Sequence, residues 1–232
     1  MHINGQLPIE FHLDRMATFA NYVVGSNTQL VTLLKQQILQ PRETCIYFWG
    51  TSGIGRTHLL NACCHYAEEQ RVNAIYLPLS HLKTYSPGVL DEVAEFSVIC
   101  IDDIEMIAAN RQWEEALFYV YNQAQAKQHL LIISALASPM QLALSLPDLQ
   151  SRLTAGAVFH MQELTDEDKI ILLKLKAEQK GILLSDQLAE FFIKRCERTV
   201  TQLIEVLDEV AAASLQAQRR LTIPFVKQIL NV

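Results

Sequence analysis

The chain has 232 residues, half of them hydrophobic and 19% charged, with only 8 glycines and 7 prolines, a composition that supplies a core for one large or two small globular domains and excludes a low-complexity or disordered chain. The formal net charge of −6 argues against a module that grips nucleic-acid phosphates, and the basic clusters Arg219–Arg220, Arg195–Arg198 and Lys174/Lys176 fit solvated helix faces better than a DNA surface. No apolar run reaches the roughly 18 residues that a membrane span needs, and "MHINGQLPIEF" lacks the basic and apolar regions of a secretory leader, so the expectation is a cytoplasmic protein with no membrane partner.

Residues 1–25 carry no clear period. "SNTQLVTLLKQQILQ" has a helical period, with Ser26 or Asn27 as N-cap and Pro41 beyond its end. "TCIYFWG" is a short apolar run that stops at glycine, as a buried strand does. A glycine loop and a helix to about Glu69 follow. "NAIYLPL" predicts a second strand, Pro87 opens a short helix ending near Glu95, and "FSVICIDD" predicts a third strand closed by two aspartates. "RQWEEALFYVYNQAQAKQ" is helical, "HLLIISA" is a fourth strand and "AVFHM" a fifth. Continuous apolar strands that alternate with helices suit a parallel sheet covered on both faces.

After Met161 the strands stop. "TDEDKIILLKLKAEQKG" has Thr165 as N-cap, Asp168 at the third helical position and Gly181 as a stop. "SDQLAEFFIKRCE", "TVTQLIEVLDEVAAASLQAQ" and "TIPFVKQILNV" predict three more helices, so the last 70 or so residues form a small helical domain on an α/β domain. Cys45, Cys63, Cys64, Cys100 and Cys196 have no metal-site spacing and fit reduced, mostly buried thiols.

The chemistry concentrates in "GTSGIGRTH", the stretch Gly50, Thr51, Ser52, Gly53, Ile54, Gly55, Arg56, Thr57 and His58. A phosphate-binding loop has glycine, four residues, glycine, lysine and then serine or threonine, placed between a strand and a helix. Its glycines let backbone N–H groups converge on phosphate oxygens, and the helix N-terminus adds its dipole. Here Arg56 stands at the lysine position, and Thr57 supplies the hydroxyl for Mg²⁺. Asp102 and Asp103 end a strand further on, where a P-loop protein keeps the acid that holds Mg²⁺ directly or through water. Arginine keeps the charge of lysine but is a wider planar fork. Nucleotide binding should therefore survive the exchange better than hydrolysis, with weak or no intrinsic turnover.

The order of these segments resembles the AAA+ family of the bacterial replication initiator DnaA. "TFANYVVGSNTQL" resembles its entry segment, and the glycine loop, "VICIDDIE", "LLIISA" and "LPDLQSRL" follow as Walker A, Walker B, sensor 1 and arginine-finger motifs. "LTDEDKIILLKLKAEQKGILL" resembles the start of the lid. Nearly the whole sequence is similar to the Hda group of DnaA-related regulators, in which arginine at the Walker A lysine position is also typical, and the helix-turn-helix domain of DnaA is not expected here. The resemblance implies a five-stranded AAA+ domain over residues 14–161, a helical lid over 162–232, and an extended N-terminal peptide, residues 1–13.

It also implies site residues. "QLPIEF" resembles the peptide that docks on the β sliding clamp of DNA polymerase III, with Gln6 in a polar subsite and Leu7, Ile9 and Phe11 as apolar anchors. Tyr22, Val23 and Val24 fit the segment that packs on adenine, Ser134 fits sensor 1, and Arg152 matches the arginine finger. At the sensor 2 position stands Thr201, with Arg198 one turn earlier; either Arg198 substitutes or the site does not distinguish ATP strongly. The implied activity is negative regulation of replication initiation: an ADP-bound (or ATP-bound) protein with Mg²⁺ docks on the clamp and stimulates hydrolysis of DnaA-bound ATP through Arg152. It would have no strong direct DNA binding, and could self-associate through the Arg152 face. The competing expectation is an autonomous P-loop ATPase of the helicase-loader kind, which the intact Asp102–Asp103 pair keeps open.

Overall fold

The computed structural model describes residues 13–195 and 199–230. The expected clamp-binding residues Gln6, Leu7, Ile9 and Phe11, and Arg198, lie outside them. The chain divides into two compact units, Met1–Gln162 and Glu163–Val232.

In the first unit the elements run α1 (Thr28–Leu39), β1 (Cys45–Trp49), α2 (Arg56–Glu69), β2 (Ala74–Pro78), α3 (Leu79–Leu82), β3 (Val98–Asp102), α4 (Arg111–Lys127), β4 (Leu130–Ala135), α5 (Pro147–Ala155) and β5 (Ala157–His160). The five strands form one parallel sheet in the order β2-β3-β4-β1-β5. The apolar runs look continuous because both faces are covered, yet each strand obeys the two-residue period. Cys45, Tyr47, Ile99, Ile101, Leu131 and Ile133 face α4 and α5, where Trp113, Leu117, Val120, Leu149 and Leu153 meet them. Ile46, Phe48, Val98, Cys100, Leu130 and Ile132 face α1 and α2, against Leu34, Ile38, Leu59, Leu60 and Cys63. This parity decides the site, because Asp102 falls on the α2 side.

Local differences from the sequence expectation have physical reasons. Residues 87–95 form two separate 3-10 turns, Pro87–Leu90 and Val93–Glu95, instead of one helix; Ser86 caps the first by accepting from the Gly88 N–H. Asn27 occupies the N-cap position of α1 but its amide serves the tertiary fold: Nδ2 donates to the Gln162 carbonyl at 2.9 Å and Oδ1 accepts from the Gln162 N–H at 2.7 Å. Between α5 and β5, Gly156 lies so close to β1 that a Cβ there would sit 2.6 Å from the Cys45 carbonyl oxygen. Cys45, Cys63, Cys64 and Cys100 are free and buried. Burial, with Glu43 nearby, pushes the Cys45 thiol up to about 12, which makes it a packing group and not a nucleophile.

The second unit holds α6 (Asp166–Gln179), α7 (Asp186–Arg195), α8 (Val200–Ala217) and α9 (Ile223–Leu230). Thr165 caps α6 with a reciprocal Asp168 contact. The helix closes with Gly181 N–H to the Glu178 carbonyl and Ile182 N–H to the Ala177 carbonyl, a Schellman ending. Its core is Leu173, Ala177, Leu188, Phe192, Leu203, Leu207, Val210 and Val226. No helix among the described residues is long and apolar enough to cross a membrane.

Candidate functional site

The loop between β1 and α2 leaves the sheet at its carboxyl edge, beside the ends of β3 and β4. Its entry is fixed by Gly50 N–H donating to the Ala135 carbonyl at 3.1 Å. Gly53 and Gly55 have φ of 78° and 98°, which β-carbon-bearing residues resist. Gly55 is the N-cap of α2, so the first-turn N–H groups of that helix open onto the loop. Thr51, Ser52, Gly53 and Thr57 are exposed, Ile54, Gly55 and His58 half-buried.

Thr57, in the first turn of α2, donates its hydroxyl to Asp102 Oδ2 at 2.7 Å. Asp102 is 2% exposed and carries two further hydrogen bonds. Tyr76 O–H donates to Oδ2 at 2.8 Å, and Ser134 O–H donates to Oδ1. The sheet register produces this convergence: Pro78 pairs with Asp102, placing Tyr76 two residues below on the same face. Ser134 in turn accepts from the Asp103 N–H at 3.2 Å. Asp103 takes a left-handed conformation, φ 58°, which asparagine and aspartate tolerate better than most residues. Burial and the neighbouring Asp102 push its carboxyl above the usual range, against the opposing pull of Arg56.

Arg56 opens α2 and is 9% exposed. A cation there opposes the helix dipole, and two carboxylates compensate it. Its Nη2 lies 3.4 Å from Asp103 Oδ1, and its Nη1 lies 3.4 Å from Glu105 Oε1. Glu105 sits in the 3-10 turn Ile104–Ile107 that follows β3. Arg56 was expected to face phosphate oxygens; here its guanidinium is paired with the acids of the Walker B segment.

Tyr22 reaches the loop: its ring would lie 3.3 Å from a Cβ on Gly55, and it packs on the His58 ring with centroids 5.3 Å apart. His58 Nε2 lies 3.1 Å from the Thr18 carbonyl. Val24 packs with Tyr22 against the α1/α2 core, and Val23 is half-buried. The structure thus gathers Gly50–His58, Asp102, Asp103, Ser134 and Tyr22 at one end of the sheet. The sequence reading missed Tyr76 and Glu105. The parity of β2 and β3 was the available signal for Tyr76; Glu105 gave none, because its partner is in α2.

Mg²⁺ with a nucleotide fits this donor set, since the hydroxyl of the exposed residue Thr57 and a carboxylate oxygen of Asp102 stand 2.7 Å apart at the foot of the glycine loop. No cluster of three or more His, Cys, Asp or Glu suited to a metal ion by themselves occurs among the described residues.

Arg152 lies elsewhere. It is exposed in the last turn of α5, with its Cζ 5.8 Å from the centre of the Tyr121 ring on α4. Gly156, one turn after it, abuts Cys45 at the start of β1, whereas the loop leaves the other end of that strand. Thr201 is exposed in the first turn of α8 in the second unit.

Comparison with known proteins adds the ancestry. The bacterial DnaA ATPase domain family matches residues 13–160, and the Hda lid domain family matches residues 166–230. A Haemophilus influenzae protein described as uncharacterized is 43% identical over 232 residues, spanning 99% of this chain and 100% of that one. Domain III of the Thermotoga maritima replication initiation protein DnaA superposes with a TM-score of 0.83 at 18% identity, over 95% of this chain and 98% of that chain. AMPPCP-bound DnaA from Aquifex aeolicus gives 0.73 at 18% identity, over 88% and 68%. A Thermotoga maritima RuvB mutant gives 0.69 at 19%, over 88% and 67%, so the fold extends to a branch-migration motor.

Proposed function

We infer the function of this chain from its ancestry: it belongs to the bacterial DnaA-related AAA+ family and its second unit is a lid of the Hda kind. It is a nucleotide-holding negative regulator of replication initiation, which presents Arg152 to ATP bound on DnaA. Gly50–Thr57 would cradle the phosphates, Thr57 and Asp102 would hold Mg²⁺, and Tyr22 to Val24 would pack on the base, with ADP as the working nucleotide. Gln6, Leu7, Ile9 and Phe11 would seat the protein on the β sliding clamp. When bound there, Mg²⁺ would supply charge neutralisation for the phosphates.

One observation carries this reading. The cation of the loop is held between two carboxylates, while an exposed arginine stands near the opposite end of β1 from that loop. A guanidinium so placed serves a neighbouring molecule better than its own site. There it would stabilise charge developing on the transferred phosphoryl group, an effect of about 10³–10⁵ in rate in systems where such fingers have been measured. Arg152 is exposed, with its guanidinium resting over the Tyr121 ring, so its loss should leave the fold intact.

The test follows hydrolysis of ATP pre-bound to DnaA, with clamp on DNA and ADP present. Arg152→Ala should keep the wild-type melting temperature and clamp retention and lose at least about a hundredfold of the stimulation. Full stimulation by Arg152→Ala refutes the assignment. The Thr57–Asp102 pair favours a second reading, an autonomous ATPase; a steady-state turnover of the isolated protein equal to that of ordinary P-loop ATPases would establish it.

A further inference from the structure

Glu105 makes two contacts with its two oxygens. Oε1 pairs with Arg56 Nη1 at 3.4 Å, and Oε2 accepts from the Leu136 N–H at 3.2 Å. The pair is largely withdrawn from water, with side-chain exposures of 10% for Arg56 and 13% for Glu105. Leu136 is the first residue after β4, two positions past Ser134, and it begins the connection that leads into α5. A single carboxylate therefore joins the cation of the glycine loop to the chain that sensor 1 and the Arg152 helix share.

A carboxylate and a phosphate oxygen are the same kind of partner for a guanidinium: both are anionic acceptors suited to its planar fork. Arg56 cannot direct the same N–H group to both. We propose that Glu105 is an affinity-setting residue that competes with the phosphate of a bound nucleoside diphosphate for Arg56. When phosphate takes the guanidinium, Glu105 keeps only its Leu136 contact, so nucleotide occupancy is felt at the start of the segment before α5. The inference rests on the nucleotide reading above and deepens it. It also gives the arginine at the lysine position a purpose: the wide fork reaches two carboxylates at once, through Nη2 to Asp103 and Nη1 to Glu105.

The experiment is equilibrium binding of Mg-ADP, followed with a fluorescent ADP, to the full chain as wild type, Glu105→Gln, Arg56→Gln and the double variant. Glutamine preserves an oxygen for the Leu136 N–H, and matching thermal melts establish that each variant folds. Glu105→Gln should tighten binding about tenfold, the scale of a charge-assisted hydrogen bond in a half-dry site. In the Arg56→Gln background the same change should alter affinity less than about twofold, because the competition has lost its object. Equal or weaker binding by Glu105→Gln overturns the competition. Equal tightening in both backgrounds also overturns it, since it would report only the removal of a negative charge. Absence of saturable binding by every variant overturns the nucleotide reading itself, a result separable from the other two.

Discussion

At the scale of single residues, the centre is Asp102, a buried carboxylate that accepts from Thr57, Tyr76 and Ser134. Three donors make its charge tolerable in a place where an unpaired carboxylate would be costly. Asp103 beside it has fewer compensations, and burial and Asp102 raise its pKa. The sign follows from linkage. With the native value raised, the folded state holds its proton longer than the unfolded one, so stability falls as pH rises from the usual carboxylate range through the native pKa. Asp103→Asn removes the charge and should raise the melting temperature at pH 7 by about 1–3 °C, a small gain because the group is partly solvated and Arg56 already offsets it. The gain should vanish as pH is lowered through the carboxylate range. A melting temperature for Asp103→Asn below wild type at neutral pH contradicts this balance.

The same scale marks what the sequence disclosed about the site. Gly50, Gly55, Thr57, Asp102 and Asp103 were legible because the spacing of a strand, a glycine turn and a helix is local. Tyr76 was legible only in principle. Its place beside Asp102 follows from the parity of two strands whose pairing register a sequence does not print. The ion pair of Arg56 with Glu105 joins residues 49 positions apart. The chemistry of arginine alone pointed to phosphate, and nothing local revealed that the turn after β3 returns two carboxylates to the start of α2.

Among elements, the strands were the most legible, because short apolar runs bounded by glycine or paired aspartates have few other readings. The turns at 87–95 were less so: proline opened a helical expectation, and the segment instead forms two 3-10 turns, Pro87–Leu90 and Val93–Glu95. Glu114 on α4 was silent in the sequence, where an amphipathic helix leaves such an acid looking solvated. It is wholly buried, and its carboxylate accepts from the Ala109 N–H at 2.8 Å, the Ser145 N–H at 3.1 Å, the Ser145 hydroxyl at 2.8 Å and the Leu146 N–H at 2.7 Å. Leu146 is the N-cap of α5, so Glu114 fastens the start of the helix that carries Arg152 to α4 and to Ala109 just before it. Glu114→Ala leaves buried donors unpaired and should cost about 3 kcal/mol of unfolding free energy. Urea denaturation measures it, and amide exchange should rise first around residues 145–150. A loss below about 0.5 kcal/mol would show that the fastening is dispensable.

At the scale of the whole molecule, two units divide between Gln162 and Glu163. The parallel sheet and small helical domain expected from the alternation of strands and helices, and from its end at Met161, and the lid that the resemblance implied agree with the DnaA-related AAA+ architecture. The net charge of −6 lacks the basic excess usual in a surface that grips nucleic-acid phosphates. The placement of the two arginines carries the functional claim: Arg56 is enclosed by carboxylates, Arg152 faces outward. The direct test is to ask whose ATP is hydrolysed. DnaA is loaded with radiolabelled ATP and this protein with unlabelled ADP, clamp on DNA is added, and released phosphate is compared with the reverse loading, label on this protein and ADP on DnaA. Rapid release of label from DnaA and almost none from this chain is expected. Rapid release only when the label is loaded on this chain would contradict it.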